Sequence, residues 1–164
     1  MSIKISVIGT GYLGATHAAC MASMGLTVVG VDVDASKIEL LSKGEIPFYE
    51  PGLDTLLAEQ VKSGRLTFTS NFSDIQDCDV HFICVGTPQV KDGIAADLRY
   101  VDSALEAVAC VAKPGSLVVG KSTVPVGTAS RLRARLQEIN PQAIDLLLAL
   151  LTMRLKPNSK KFMR

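Results

Sequence analysis

The sequence contains no tryptophan, and aromatic residues of every kind fill only 5% of its 164 positions. Neither sign of charge dominates: 17 lysines and arginines stand against 16 acids, a formal net charge of +1. That balance excludes the basic footprint of a general nucleic-acid binder, and a hydrophobic content of 48% excludes a disordered chain. No apolar run approaches the ~20 residues needed to cross a bilayer. Met1 leads directly into a strand-like segment rather than a basic-then-apolar leader. The expectation is a cytoplasmic protein with neither membrane nor nucleic acid among its partners. Histidine is scarce too. His17 and His81 lack any partner at ligand spacing, so no metal site is expected and both read as packed side chains. Cys20, Cys78, Cys84 and Cys110 show no C-x-x-C spacing. Reduced, buried thiols are expected rather than disulfides or metal ligands.

What is present begins at once. Ile3-Lys4-Ile5-Ser6-Val7-Ile8 is an apolar run rich in β-branched residues, and it enters Gly9-Thr10-Gly11-Tyr12-Leu13-Gly14. A small-residue helix is expected from Ala15 through Met24. In a strand–turn–helix unit each glycine has its own task. Gly9 allows the tight turn, Gly11 lets the backbone approach a pyrophosphate, and Gly14 lets the helix pack closely. An anion at the helix N-terminus is favoured by free N–H groups and by the macrodipole. The next apolar run, Thr27-Val28-Val29-Gly30-Val31, reads as a second strand and ends in Asp32, 21 residues past Gly11. An acid about 20 residues on is the one that binds the adenosine ribose. A carboxylate there accepts from a 2′-hydroxyl and repels a 2′-phosphate, and Asp34 adds negative charge with no arginine nearby. NAD is therefore expected rather than NADP. Lys37 either reaches the same ribose or the pyrophosphate, or is a solvated helix lysine.

Further along, Asp34 or Ser36 can cap a short helix through Leu41, with Gly44 just past its end. Ile46-Pro47-Phe48-Tyr49-Glu50-Pro51-Gly52 reads as an ordered, non-helical loop, since it carries two prolines. Leu53, Leu56, Leu57 and Val61 recur at helical spacing up to Gly64. Leu66–Thr69 reads as strand three, with a short helical turn near residues 73–75. Strand four spans 80–85, a polar loop 89–97, a helix 100–112 and strand five 117–120. A last helix is expected through Ile139, capped by Thr128. The alternation of near-continuous apolar strands with helices gives the fold class: α/β, a Rossmann-type doubly wound parallel sheet. In such a sheet ligands gather at the strand ends. Gly86-Thr87-Pro88 and Ser122-Thr123-Val124-Pro125 occupy two of them, as groups that order a cofactor or water, or as turn-making and capping residues.

Four separated segments together resemble the UDP-glucose 6-dehydrogenase family, within the wider UDP-glucose/GDP-mannose group. They are Val7–Gly14, Pro47–Leu53, Cys84-Val-Gly-Thr-Pro88 and Lys121-Ser-Thr-Val-Pro-Val-Gly127, and the likeness covers roughly residues 3–140. The resemblance implies NAD-dependent oxidation of a sugar-nucleotide primary alcohol to a carboxylate, UDP-glucose to UDP-glucuronate. It passes two hydrides to two NAD molecules through a covalent adduct on a catalytic cysteine. By motif match it further implies that Gly9, Gly11 and Gly14 hold the pyrophosphate and Asp32 the ribose, with Tyr12, Leu13 and Lys37 counted among the cofactor-binding residues. Thr87 and Thr123 would lie near the nicotinamide, Thr123 positioning the catalytic water. GDP-mannose or another nucleotide sugar is the alternative substrate, and a stand-alone NAD-binding or partner-binding module the alternative role.

Family members are more than twice this length, and the segments expected to carry the nucleophilic cysteine and the central dimer helix have no counterpart here. The expectation is thus a domain at 1–140, truncated relative to the family and inactive alone, with its self-association left open. Residues 141–164 form a divergent tail, apolar at 144–151 and basic behind. It reads as a sixth strand, a short helix or a segment without a native role.

Overall fold

Lys4–Ile8 forms the central strand β1, flanked by β2 (Thr27–Val31) on one side and β4 (Val80–Ile83) on the other. β3 (Leu66–Thr69) and β5 (Leu117–Gly120) complete a five-stranded sheet in the order β3-β2-β1-β4-β5. All four pairings are parallel, with Ile5 opposite Val28 and Val80, and Phe82 opposite Val119. The computed structural model describes residues 3–90 and 95–141. The 144–151 segment, and with it the expected sixth strand or short helix, lies outside the described residues.

Among the described residues, six helical segments accompany the strands. These are α1 (Tyr12–Ser23), α2 (Ala35–Ser42), α3 (Leu53–Lys62), a 3-10 turn (Phe72–Ile75), α4 (Arg99–Val111) and α5 (Thr128–Ile139). They divide by sheet face as right-handed crossovers require. On one face Ile5, Val7, Val28 and Leu66 pack against the alanines of α1, Leu41 of α2 and Leu57 of α3. On the other, Ile8, Val29, Val31, Ile83 and Val118 pack against Val101, Leu105 and Val108 of α4 and Leu132 and Leu136 of α5. Strands buried on both sides have no polar alternation to show, and the apolar runs of the sequence follow from this.

The elements match the expectations in kind and order, with two corrections at helix starts. α1 begins at Tyr12, three residues before the expected Ala15. Gly14 therefore lies inside its first turn, where a Cβ would come within 1.8 Å of the Gly9 carbonyl oxygen. Thr128 is the first residue of α5 and not its cap. Gly127, at φ +90°, turns the chain into the helix without any side-chain capping bond, and the Thr128 N–H donates to the Pro125 carbonyl. By contrast Asp34 caps α2 as expected, accepting from the Ser36 and Lys37 amides. The 46–52 segment is a non-helical loop ending in Gly52 at φ +80°.

A third correction concerns the cysteines. Cys78 and Cys84 are buried, but Cys20 and Cys110 are exposed on outer helix faces. All four are free thiols. The histidines pack against their neighbours as expected. His17 meets Phe82 edge-on at 4.5 Å, and His81 is fully buried with Nδ1 2.7 Å from Ser6 Oγ. The Nε2 atoms of both have no hydrogen-bond partner among the described residues.

Candidate functional site

The strand order reverses between β1 and β4, and the connections leaving their C-terminal ends pass to opposite faces of the sheet, α1 to one and α4 to the other. A cleft of about 500 Å³ opens there. Its floor is Ile8, Gly9, Gly11, Cys84, Val85 and Gly86; one end carries Val31, Asp32 and Lys37. α4 forms a wall with Tyr100, Ala104 and Ala107, residues spaced so that one helical face looks into the cleft.

The glycine turn is shaped by contacts, and each glycine is required for a different one. Gly9 sits at φ +88°, and a Cβ on it would meet Val85 at 2.9–3.0 Å. Gly11 has φ −68° and ψ −168°, ordinary extended backbone. A Cβ on it would meet no protein atom within 4 Å. Its space is open because the cleft is there. Behind it, α1 begins with no side-chain cap and no acid in its first turn. The N–H groups of that turn are thus free of side-chain acceptors, and the positive end of the helix dipole is uncompensated.

Asp32 is the most heavily bonded acid of the site. Its Oδ2 accepts from the Thr10 N–H (2.8 Å), the Thr10 hydroxyl (3.1 Å) and Lys37 Nζ (2.8 Å). Its Oδ1 accepts from the Asp34 N–H at 3.1 Å. Burial works to raise the Asp32 carboxyl, but these bonds, led by that from Lys37, outweigh it and hold the group below its ordinary value. It is an anion at neutral pH. Lys37 reaches it because Asp34 caps α2 and fixes the first turn on which Lys37 rides.

The other expected residues divide between the cleft and its surroundings. The Tyr12 and Leu13 side chains are exposed and do not line the cleft, so only their backbones are placed toward an anion. The Tyr12 hydroxyl donates to Glu50, which raises the phenol, and its ring leans on Phe48 at 5.6 Å. The Pro47–Leu53 loop is in this way strapped to the start of α1. Thr87 and Thr123 are brought together, with Thr87 Oγ1 donating to the Thr123 carbonyl at 3.0 Å, but neither lines the cleft. Ser122 Oγ donates to the Val85 carbonyl at 2.7 Å, tying the ends of β4 and β5. Sequence reasoning missed Thr10, Phe72, Tyr100, Ser103, Ala104 and Ala107. The only signal for the α4 residues was their i, i+4, i+7 spacing, which reads equally well as core.

These residues fit a dinucleotide. An uncapped helix start beside open space at Gly11 suits a pyrophosphate, an anionic acceptor suits a ribose hydroxyl, and a mostly apolar wall suits a flat base. Among the described residues no group of three or more His, Cys, Asp or Glu could hold a metal ion. No described helix is long and apolar enough to cross a membrane.

Comparison with known proteins agrees with that fit. The NAD-binding domain model of the UDP-glucose/GDP-mannose dehydrogenase family matches residues 3–159. The UDP-glucose 6-dehydrogenase of Rhizobium meliloti is 46% identical over 142 residues, 86% of this chain and 32% of that protein. A UDP-D-ManNAc dehydrogenase structure from Pyrococcus horikoshii superposes with a TM-score of 0.85 at 33% identity, covering 94% of this chain and 37% of that one. A GDP-mannose dehydrogenase structure from Pseudomonas aeruginosa gives 0.83 at 35%, covering 89% and 35%. The chain thus spans about a third of the length of these relatives. By its fold, its cleft and these matches, the chain belongs to the UDP-glucose/GDP-mannose dehydrogenase family, to which it contributes an NAD-binding domain.

Proposed function

We propose that this chain is the cofactor half of an enzyme that oxidises the C6 alcohol of UDP-glucose to the carboxylate of UDP-glucuronate, organised as a domain at 1–140 with residues 141–164 outside it. The observation that carries the reading is the cleft itself, where Gly11 leaves room and Asp32 presents a bonded anion within one dinucleotide-sized space. When bound, NAD supplies the hydride acceptor. The protein's own part is placement: the α1 amides and Gly9, Gly11 and Gly14 hold the pyrophosphate, and Asp32 with Lys37 holds the adenosine ribose. The apolar face of α4 excludes water from the base. Thr87 and Thr123, joined at the mouth between β4 and β5, are the residues proposed to face the nicotinamide side and to position a water there.

UDP-glucose is favoured by the Lys121–Gly127 run; the close GDP-mannose and UDP-D-ManNAc relatives make those sugars the alternatives to test. The experiment is reconstitution of this chain with the separately expressed remainder of the Rhizobium meliloti relative. Each of the three nucleotide sugars is supplied with NAD, and NADH is followed by absorbance. Turnover is expected with UDP-glucose. Turnover with another sugar alone reassigns the substrate, and NAD binding without any turnover reduces the chain to a dinucleotide-binding module.

A further inference from the structure

Nothing in a glycine-rich turn requires a hydroxyl between its first two glycines, yet Thr10 stands there fully buried and bonded twice to Asp32. We propose that Thr10 is a positioning residue: it holds the Asp32 carboxylate in the one orientation that leaves Oδ1 for the adenosine ribose, and so sets the preference for NAD over NADP. The inference rests on the cofactor reading above.

A carboxylate offers about four acceptor sites. Oδ2 already takes three donors, two of them from Thr10, and Oδ1 takes only the Asp34 amide. The remaining capacity is therefore on Oδ1. Two residues bond Oδ2, and they differ in rigidity. The Lys37 side chain is 26% exposed and rides on a long flexible stem, whereas Thr10 has no exposure at all. Its rotamer is fenced as well. A Cβ at Gly30 would lie 3.1 Å from the Thr10 methyl and 2.5 Å from the Phe68 ring. Gly30, the penultimate residue of β2, is what leaves Thr10 the space to turn its hydroxyl toward Asp32. Lys37 supplies charge, and Thr10 supplies direction. Without the hydroxyl, Thr10 keeps only its backbone N–H on Oδ2, and the carboxylate gains room to rotate about that bond toward Lys37, away from the sugar.

The test is calorimetric titration of the full chain with NAD and with NADP. It compares wild type, Thr10→Val, Thr10→Ser, Asp32→Ala and the Thr10→Val/Asp32→Ala pair. A hydrogen bond to a charged group predicts that Thr10→Val weakens NAD about tenfold or more while changing NADP far less, so that the preference narrows. Thr10→Ser restores NAD affinity to within about threefold, because the hydroxyl is kept. In the Asp32→Ala background Thr10→Val has no further effect, since its target is gone. If Thr10→Val gives no cooperative thermal transition, Thr10→Ala carries the same comparison. NAD affinity within about twofold of wild type in the folded variant overturns the proposal, as does an equal loss with and without Asp32, which marks a merely structural role. Failure of the wild type to bind NAD overturns the cofactor reading itself, and this inference with it.

Discussion

At the scale of single residues, the cleft makes opposite demands on its glycines. Gly11 has a backbone that any residue adopts and open space where a side chain would go. Gly11→Val is therefore expected to fold with near-wild-type stability and to lose NAD binding, because the isopropyl group fills the place of the pyrophosphate. A folded Gly11→Val protein with unchanged NAD affinity in calorimetry contradicts that assignment. Gly14 is the reverse case. A methyl group there would lie 1.8 Å from the Gly9 carbonyl oxygen, so Gly14→Ala must push α1 off the turn and destabilise the fold itself, by about 1–3 kcal/mol for an overpacked site. Chemical denaturation reads that difference directly. Asp32 gives the third test. Asp32→Ala removes the group that repels a 2′-phosphate and leaves Lys37 without its partner. NADP is expected to gain affinity and NAD to lose it, read by titration with both cofactors. The wild type is expected to prefer NAD, and equal affinities for the two would remove the basis for Asp32's role. The acid was legible from its place 21 residues past Gly11. Thr10 was not, because a residue between two glycines carries no periodicity and its partner lies a strand away.

At the scale of elements, strands and helices were readable where one force dominated. The inner strands β1, β2 and β4 and the edge strand β5 are largely buried and are written as mostly apolar runs, whereas the edge strand β3 alternates as Leu66-Thr67-Phe68-Thr69; α4 shows its core face as Val101, Leu105 and Val108. The start of α2 was readable from its side-chain cap, Asp34, and those of α3 and α4, which have no such cap, from their apolar spacing. Where backbone geometry alone opens the helix, as at Gly11 and Gly127, the sequence offers a glycine that looks like an ending as much as a beginning. The β1–β4 pairing also carries a pH dependence. His81 is buried with Nδ1 beside Ser6 Oγ and Nε2 without a partner among the described residues, and it feels the charges of Lys113 and Asp79. Burial, helped by the Lys113 charge, lowers its pKa from 6.5 to about 4. The unfolded chain therefore takes up the proton first. Stability from the neutral ring is full above about pH 6.5, declines as pH falls toward 4, and reaches a loss of about 3 kcal/mol below that. His81→Leu combined with Ser6→Ala, which avoids stranding the hydroxyl, is expected to flatten the dependence between pH 6.5 and 4. Urea midpoints across that range check it, and an unchanged slope removes His81 as the cause.

At the scale of the whole molecule, the described residues contain what binds a dinucleotide and lack what would attack a sugar. The reaction implied by the resemblance passes through a cysteine adduct and so calls for a thiolate, and among the described residues Cys84 is the one cysteine lining the cleft. It is 8% exposed, and burial pushes its thiol up to about 11, only partly countered by the Lys121 charge. At neutral pH it is protonated and inert. Cys78 is enclosed in the opposite core and likewise raised to about 11; Cys20 and Cys110 lie on outer helix faces, away from the cleft. Binding without positioning does little for rate. Holding an alcohol carbon against its acceptor is worth roughly 7–11 kcal/mol, and none of the residues lining the cleft is a fork of donors suited to a second nucleotide's phosphates. The 164-residue chain is accordingly expected to bind NAD and to form no NADH from UDP-glucose, GDP-mannose or UDP-D-ManNAc when assayed by itself. Cys84→Ser is the control that separates the explanations. If the isolated chain does turn over and Cys84→Ser abolishes it, the cleft thiol is the nucleophile and the argument from its burial is wrong. Turnover that survives Cys84→Ser would place the chemistry on residues of this chain that do not line the cleft, and silence in both, with NAD still bound, leaves the cofactor half as the working unit to which a substrate-binding partner must be added.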